Sequence, residues 1–106
     1  MFKVYKKDIV VKINGEDVTY SLLPLSGRFL PKLMGLASSK KQDADGNVDF
    51  NDKDFAIFHE LIMETMKYSY DIKSDSDISE LDLFVSQNLM VFIPVLFEVN
   101  GLSNGE

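Results

Sequence analysis

The chain has no cysteine among its 106 residues. That excludes disulfides, thiolate metal sites and a cysteine nucleophile. Small secreted domains usually carry disulfide staples, so a reducing cytoplasm is the expected compartment. There is one histidine, His59, too few for a zinc site of the usual kind. Next to Glu60 and not far from Glu64, it reads better as a surface or boundary residue than as half of an acid–base pair. No serine sits in a Gly-x-Ser-x-Gly elbow, and no glycine-rich phosphate loop is present. The longest apolar run is "LMVFIPVLF", Leu89 to Phe97. It is too short to span a bilayer, and Pro94 interrupts it. The opening "MFKVYKKDIVV" lacks the apolar core of a signal peptide. These absences predict a non-enzymatic protein with no cofactor.

What remains is ordinary material for a core. Hydrophobic residues make up 45% of the chain, with eight Phe and four Tyr, which suits a globular domain and not a disordered one. The length predicts a single domain over 1–106. The net charge of −6 is unevenly placed. Residues 1–41 hold eight Lys/Arg against three Asp/Glu, whereas 42–106 hold three against fourteen. An acidic half of that kind argues against nucleic acid as a partner. It leaves open a solvated surface or a face that docks on a basic partner.

Hydrophobic periodicity divides the chain into elements. Over 8–23, Ile9, Val11 and Ile13 alternate on one side of Asn14-Gly15, and Val18 and Tyr20 on the other. An Asn-Gly pair flanked by alternating apolar residues predicts a hairpin with a type I′ turn. Leu30, Leu33, Met34 and Ala37 predict a helix over about 28–38, with Pro31 tolerated in its first turn. Asn51 or Asp52 caps a helix over 52–69, with Phe55, Phe58, Ile62 and Met66 inward. Glu64 and Lys67 are spaced to pair on its wet face. A last helix is predicted over 79–98, opened by Ser79 with Asp82 and kinked or ended at Pro94. Acidic loops fill 39–51 and 71–78. The expected class is α+β, mainly helical, with the hairpin packed on three or so helices.

One loop invites a metal reading. "DADGNVDF", Asp43 to Phe50, resembles the ligand loop of EF-hand proteins. In such a loop oxygen ligands alternate, a glycine makes the turn and a bidentate Glu closes the site. If Gly46 makes the turn, the ligands are Asp43, Asp45, Asp49 and Asp52, but Lys41 falls where the first carboxylate belongs. If Asp43 leads, the ligands run through Asn47 and Asn51 to Asp54, but Val48 falls at the glycine position, where φ must be positive. Neither register satisfies both rules. The plain alternative is an acidic turn closed by local side-chain bonds.

A wider pattern spans residues 9–101. It runs "VKINGEDVTYSLLPLSGRFLPKLMGL", an acidic gap, "DFAIFHELIMETMKYSY", and then "ISELDLFVSQNLMVFIPVLFEVNG". This order resembles the tail assembly chaperones of long-tailed, siphovirus-type bacteriophages of Gram-positive bacteria. The resemblance implies a small protein of the host cytoplasm that coats the tape measure protein and helps recruit the tail tube protein. It also implies self-association, no nucleic-acid or membrane partner, and absence from the mature virion. Leu89, Met90, Phe92, Ile93, Leu96 and Phe97 are the expected combined core and contact region, because they exceed what one helix face needs. Two other readings stand beside it: a single calcium-binding module, and a cytoplasmic adaptor that binds a basic partner.

Overall fold

The computed structural model describes residues 3–38 and 50–102. A two-stranded antiparallel hairpin, β1 (Lys7–Ile13) and β2 (Glu16–Leu22), precedes four helices. These are α1 (Leu30–Ser38), α2 (Asp52–Tyr70), α3 (Asp75–Gln87) and α4 (Leu89–Val99). The class is α+β and mainly helical.

The hairpin closes as its turn residues dictate. Asn14 and Gly15 both take positive φ, 51° and 83°, as a type I′ turn requires. The turn sets the register, with Ile13 opposite Glu16, Val11 opposite Val18 and Ile9 opposite Tyr20. One face therefore carries Ile9, Val11, Tyr20 and Leu22 toward the helices. The other carries Asp8, Val10, Lys12, Asp17 and Thr19 outward.

Helix α1 starts at Leu30, two residues later than the periodicity suggests. Before it, the carbonyl of Ser26 accepts the N–H groups of Phe29 and Leu30. Pro31 thus lies in the first turn, where its missing N–H costs nothing. Leu33 and Leu36 are buried, whereas Met34 faces outward. Helix α2 is capped by Asn51, whose side chain accepts from the Asp54 N–H while the Asp54 carboxylate accepts from the Asn51 N–H. It ends at Asp71, which takes the left-handed conformation. Lys67 and Glu64 form the expected pair at 3.1 Å.

The C-terminal region departs from its expected form. A single helix over 79–98 is replaced by α3 and α4, with axes bent by 99°. Ser79 is not the cap. Ser74 is, its hydroxyl accepting from the Asp77 N–H at 3.2 Å. Asp75 and Asp77 in the first turn then suit the helix dipole, so the acidic loop expected over 71–78 gives way to helix from Asp75. The break falls at Asn88 and not at Pro94. The Asn88 amide donates to the Phe84 carbonyl at 3.0 Å, and its own N–H is shared between Phe84 and Val85. Pro94 lies inside α4 on its exposed side. There water can serve the Met90 carbonyl that lacks a helical donor.

The core is filled from every element. Leu22, Leu33, Phe58, Leu61, Val85, Phe92 and Leu96 are its largest fully buried side chains. Tyr20, Phe84 and Phe92 meet edge-on or tilted, with ring centroids 5.5–6.3 Å apart. Burial, and then the nearby Tyr70, raise the Tyr20 phenol above its ordinary 10.0.

The end of β2 is tied to α2 by side chains. The Ser69 hydroxyl accepts the Leu23 N–H at 2.8 Å and donates to the Thr65 carbonyl. Ser69 is itself buried. Replacing it with alanine leaves the Leu23 N–H without this partner, so Ser69→Ala should lower unfolding free energy by about 1–3 kcal/mol. Urea titration followed by circular dichroism measures this. A change under about 0.5 kcal/mol would mean that water replaces the hydroxyl.

Candidate functional site

The expected contact region, Leu89 to Phe97, lies on α4 and divides sharply. Phe92, Ile93 and Leu96 are core residues, and Leu89 and Phe97 are half-buried. Only Met90 of the six is open to solvent, at 65%. The all-round apolar character of α4 has a packing cause. The helix is wedged between β1 and α2, with α3 touching it as well. A helix covered on several sides needs apolar residues on several sides.

One strip of α4 stays bare. Met90, Val91 and Pro94 are exposed; Pro94 neighbours Met90 at i, i+4 and Val91 at i, i+3, and the exposed Glu98 closes the same face. Leu83, on α3 before the bend, is also exposed, at 67%. The sequence pattern does not mark Val91, Pro94 or Leu83 as contact residues. The missing signal was the bend, because the inward face of α4 cannot be assigned by extending the period of α3 through Asn88.

His59 has neighbours that resemble a catalytic set but are not arranged as one. Its Nε2 lies 2.6 Å from Asp82 Oδ1 and 3.4 Å from Ser86 Oγ. A serine–histidine–carboxylate relay needs the two partners on different ring nitrogens. Here both meet the same nitrogen, and the contacts join α2 to α3. Asp82 thus pairs with His59 and caps nothing.

Of the four weak metal candidates, Asp43, Asp45 and Asp49 lie outside the described residues. Asp52 is the first residue of α2. Among the described residues no three His, Asp or Glu side chains gather at metal-binding distances.

The described residues enclose a small core cavity and an open surface depression. One, of ≈ 10 Å³, lies in the core between Leu22, Ile62, Phe92 and Leu96. The other is an open depression of ≈ 310 Å³ lined by Glu64, Lys67, Tyr68, Ile72 and Ile78. Its charges are already engaged, Lys67 with Glu64 and Lys73 with Asp71. Among the described residues no single helix is long and apolar enough to cross a membrane.

No protein-family model, curated protein or solved structure matches the chain.

Proposed function

We propose that this chain is a non-enzymatic tail assembly chaperone of a long-tailed bacteriophage. In this reading it works in the host cytoplasm, binds the tape measure protein, helps bring in the tail tube protein and is absent from the finished virion. The order of elements over residues 9–101 supports the reading. The observation that carries it is the bare strip Met90, Val91 and Pro94, which stays exposed after the core is filled. An apolar helical client can lie against such a strip. A methionine at its centre adapts to side chains of varied shape.

The test is co-expression with an apolar helical fragment of the tape measure protein. The fragment should stay soluble and co-elute with this chain, and the pair should survive high salt, since apolar contact does not weaken with ionic strength. Met90→Glu combined with Val91→Glu should abolish co-elution. Met90 is 65% exposed and Val91 38%, and both glutamates would stand in the first turn of α4, where the helix dipole favours them, so the variant should lose no more than about 1 kcal/mol. A fragment that precipitates with or without the wild-type chain would overturn the proposal. Binding lost at high salt would favour an acidic adaptor instead.

A further inference from the structure

The hairpin has two outer edges, and they differ. The turn makes Ile9, Val11 and Ile13 bond inward to β2, so the N–H and C=O groups of Asp8, Val10 and Lys12 point away from the partner strand. On β2 the outward groups belong to Asp17, Thr19 and Ser21. That edge is stopped at one end, because the Ser21 N–H donates to the Tyr70 hydroxyl at 3.0 Å. Among the described residues no hydrogen bond reaches the outward backbone groups of Asp8, Val10 or Lys12. The side chains of all three are exposed, Val10 at 62%.

Charges on an edge strand usually discourage pairing. Here they are placed to do the reverse. Asp8 and Lys12 are of opposite sign and equidistant from Val10. If a second β1 runs antiparallel with Val10 facing Val10, each Asp8 faces the other copy's Lys12. The parity is also correct, because all three facing pairs then use outward backbone groups on both strands. We propose that two copies of this chain pair through β1, antiparallel and centred on Val10, to form a continuous four-stranded sheet.

The joined outer face carries alternating charge. Asp17, which lies 3.6 Å from Lys12 within one copy, is followed by Lys12 and then by the second copy's Asp8. Opposite charges directly across a sheet stabilise it, and like charges do the opposite. On the inner face Ile9 and Val11 are already buried within each copy, so the contact is made by the outward backbone groups and the outer-face side chains. Helix α4 packs on β1, so both α4 helices lie on the same side of the joined sheet. The contact is isologous, as a two-fold dimer requires. It does not depend on the chaperone reading and can stand or fall without it.

The test is sedimentation equilibrium of the full chain between about 10 µM and 1 mM, a range suited to a small interface. The mass should rise from 12.0 kDa toward twice that value. Asp8→Lys alone should remain monomeric, since it sets lysine against lysine. Lys12→Asp alone should do the same with aspartates. Mixing the two single variants should restore a dimer, now a heterodimer, because each lysine again faces an aspartate. Val10→Pro offers a second route. It removes an outward N–H that the hairpin does not use, so the circular dichroism spectrum should be unchanged and the dimer lost. A chain monomeric throughout the range would overturn the proposal. So would a dimer unaffected by the charge variants, or one broken only by Met90→Glu.

Discussion

Phe58→Ala is expected to lower the unfolding free energy by about 3–5 kcal/mol. Against a total of about 5–15 kcal/mol for a domain of this kind, that is a large share. The ring is wholly buried. It meets Phe50 edge-on at 4.8 Å and Phe97 at 5.8 Å. It therefore holds together the start of α2, the residue just before its cap, and the far end of α4. Alanine removes the ring's apolar surface and leaves a void that neighbouring helices cannot close without moving. The two edge-to-face contacts go with it, each worth about 0.5–1.5 kcal/mol. The melting midpoint should fall by more than about 12 °C, taking the shift per kcal/mol usual for this size. Calorimetry or urea unfolding measures the change. A loss under about 1 kcal/mol would show that the ring is not packed as described.

Phe92→Ala is expected to cost a similar amount, about 3–5 kcal/mol, whereas Met90→Ala should change stability by no more than about 0.5 kcal/mol. The two residues are two positions apart on the same apolar run, about half a helical turn, and the pattern alone treats them alike. Phe92 is nearly fully buried and packs edge-on against Tyr20 from the hairpin and Phe84 from α3. Losing it separates three elements at once. It would also enlarge the small core cavity that Phe92 lines with Leu22 and Leu96. Met90 projects into solvent and leaves no void when shortened. Equal effects of the two substitutions would overturn the placement of α4. If Met90→Ala proved the costlier, the bare strip would belong to the core and could not receive a client.

Several features were legible in the residues because their causes are local. Asn14-Gly15 selects its turn by sterics within two residues, and the turn then sets the register of both strands. Asn51 and Asp54 satisfy each other's backbone groups across one helical turn, so the start of α2 follows from a few positions. Glu64 and Lys67 meet because a helix brings such residues together. Phe58, Ile62 and Met66 were placed inside by period alone.

Other features needed the rest of the molecule. Asn88 carries no breaking signal as strong as the proline that follows it. The chain turns there because Phe84 and Phe92 must both reach Tyr20, and a straight helix would not bring the two rings together with the hairpin. Pro94, the stronger local signal, does not break α4, since the Met90 carbonyl that it leaves without a donor lies on the exposed side of the helix. Ser74 prevailed over Ser79 as a cap because Ile78 and Leu81 pack onto the core and draw the preceding turn into the helix. The division of Leu89–Phe97 into core and surface has the same origin. The hairpin, its register, the capped long helix and the mainly helical α+β class can be read from the residues, since each follows from contacts within a turn or two of chain. Which apolar residues are bare and which strand edge is open cannot, because exposure depends on what distant elements leave uncovered.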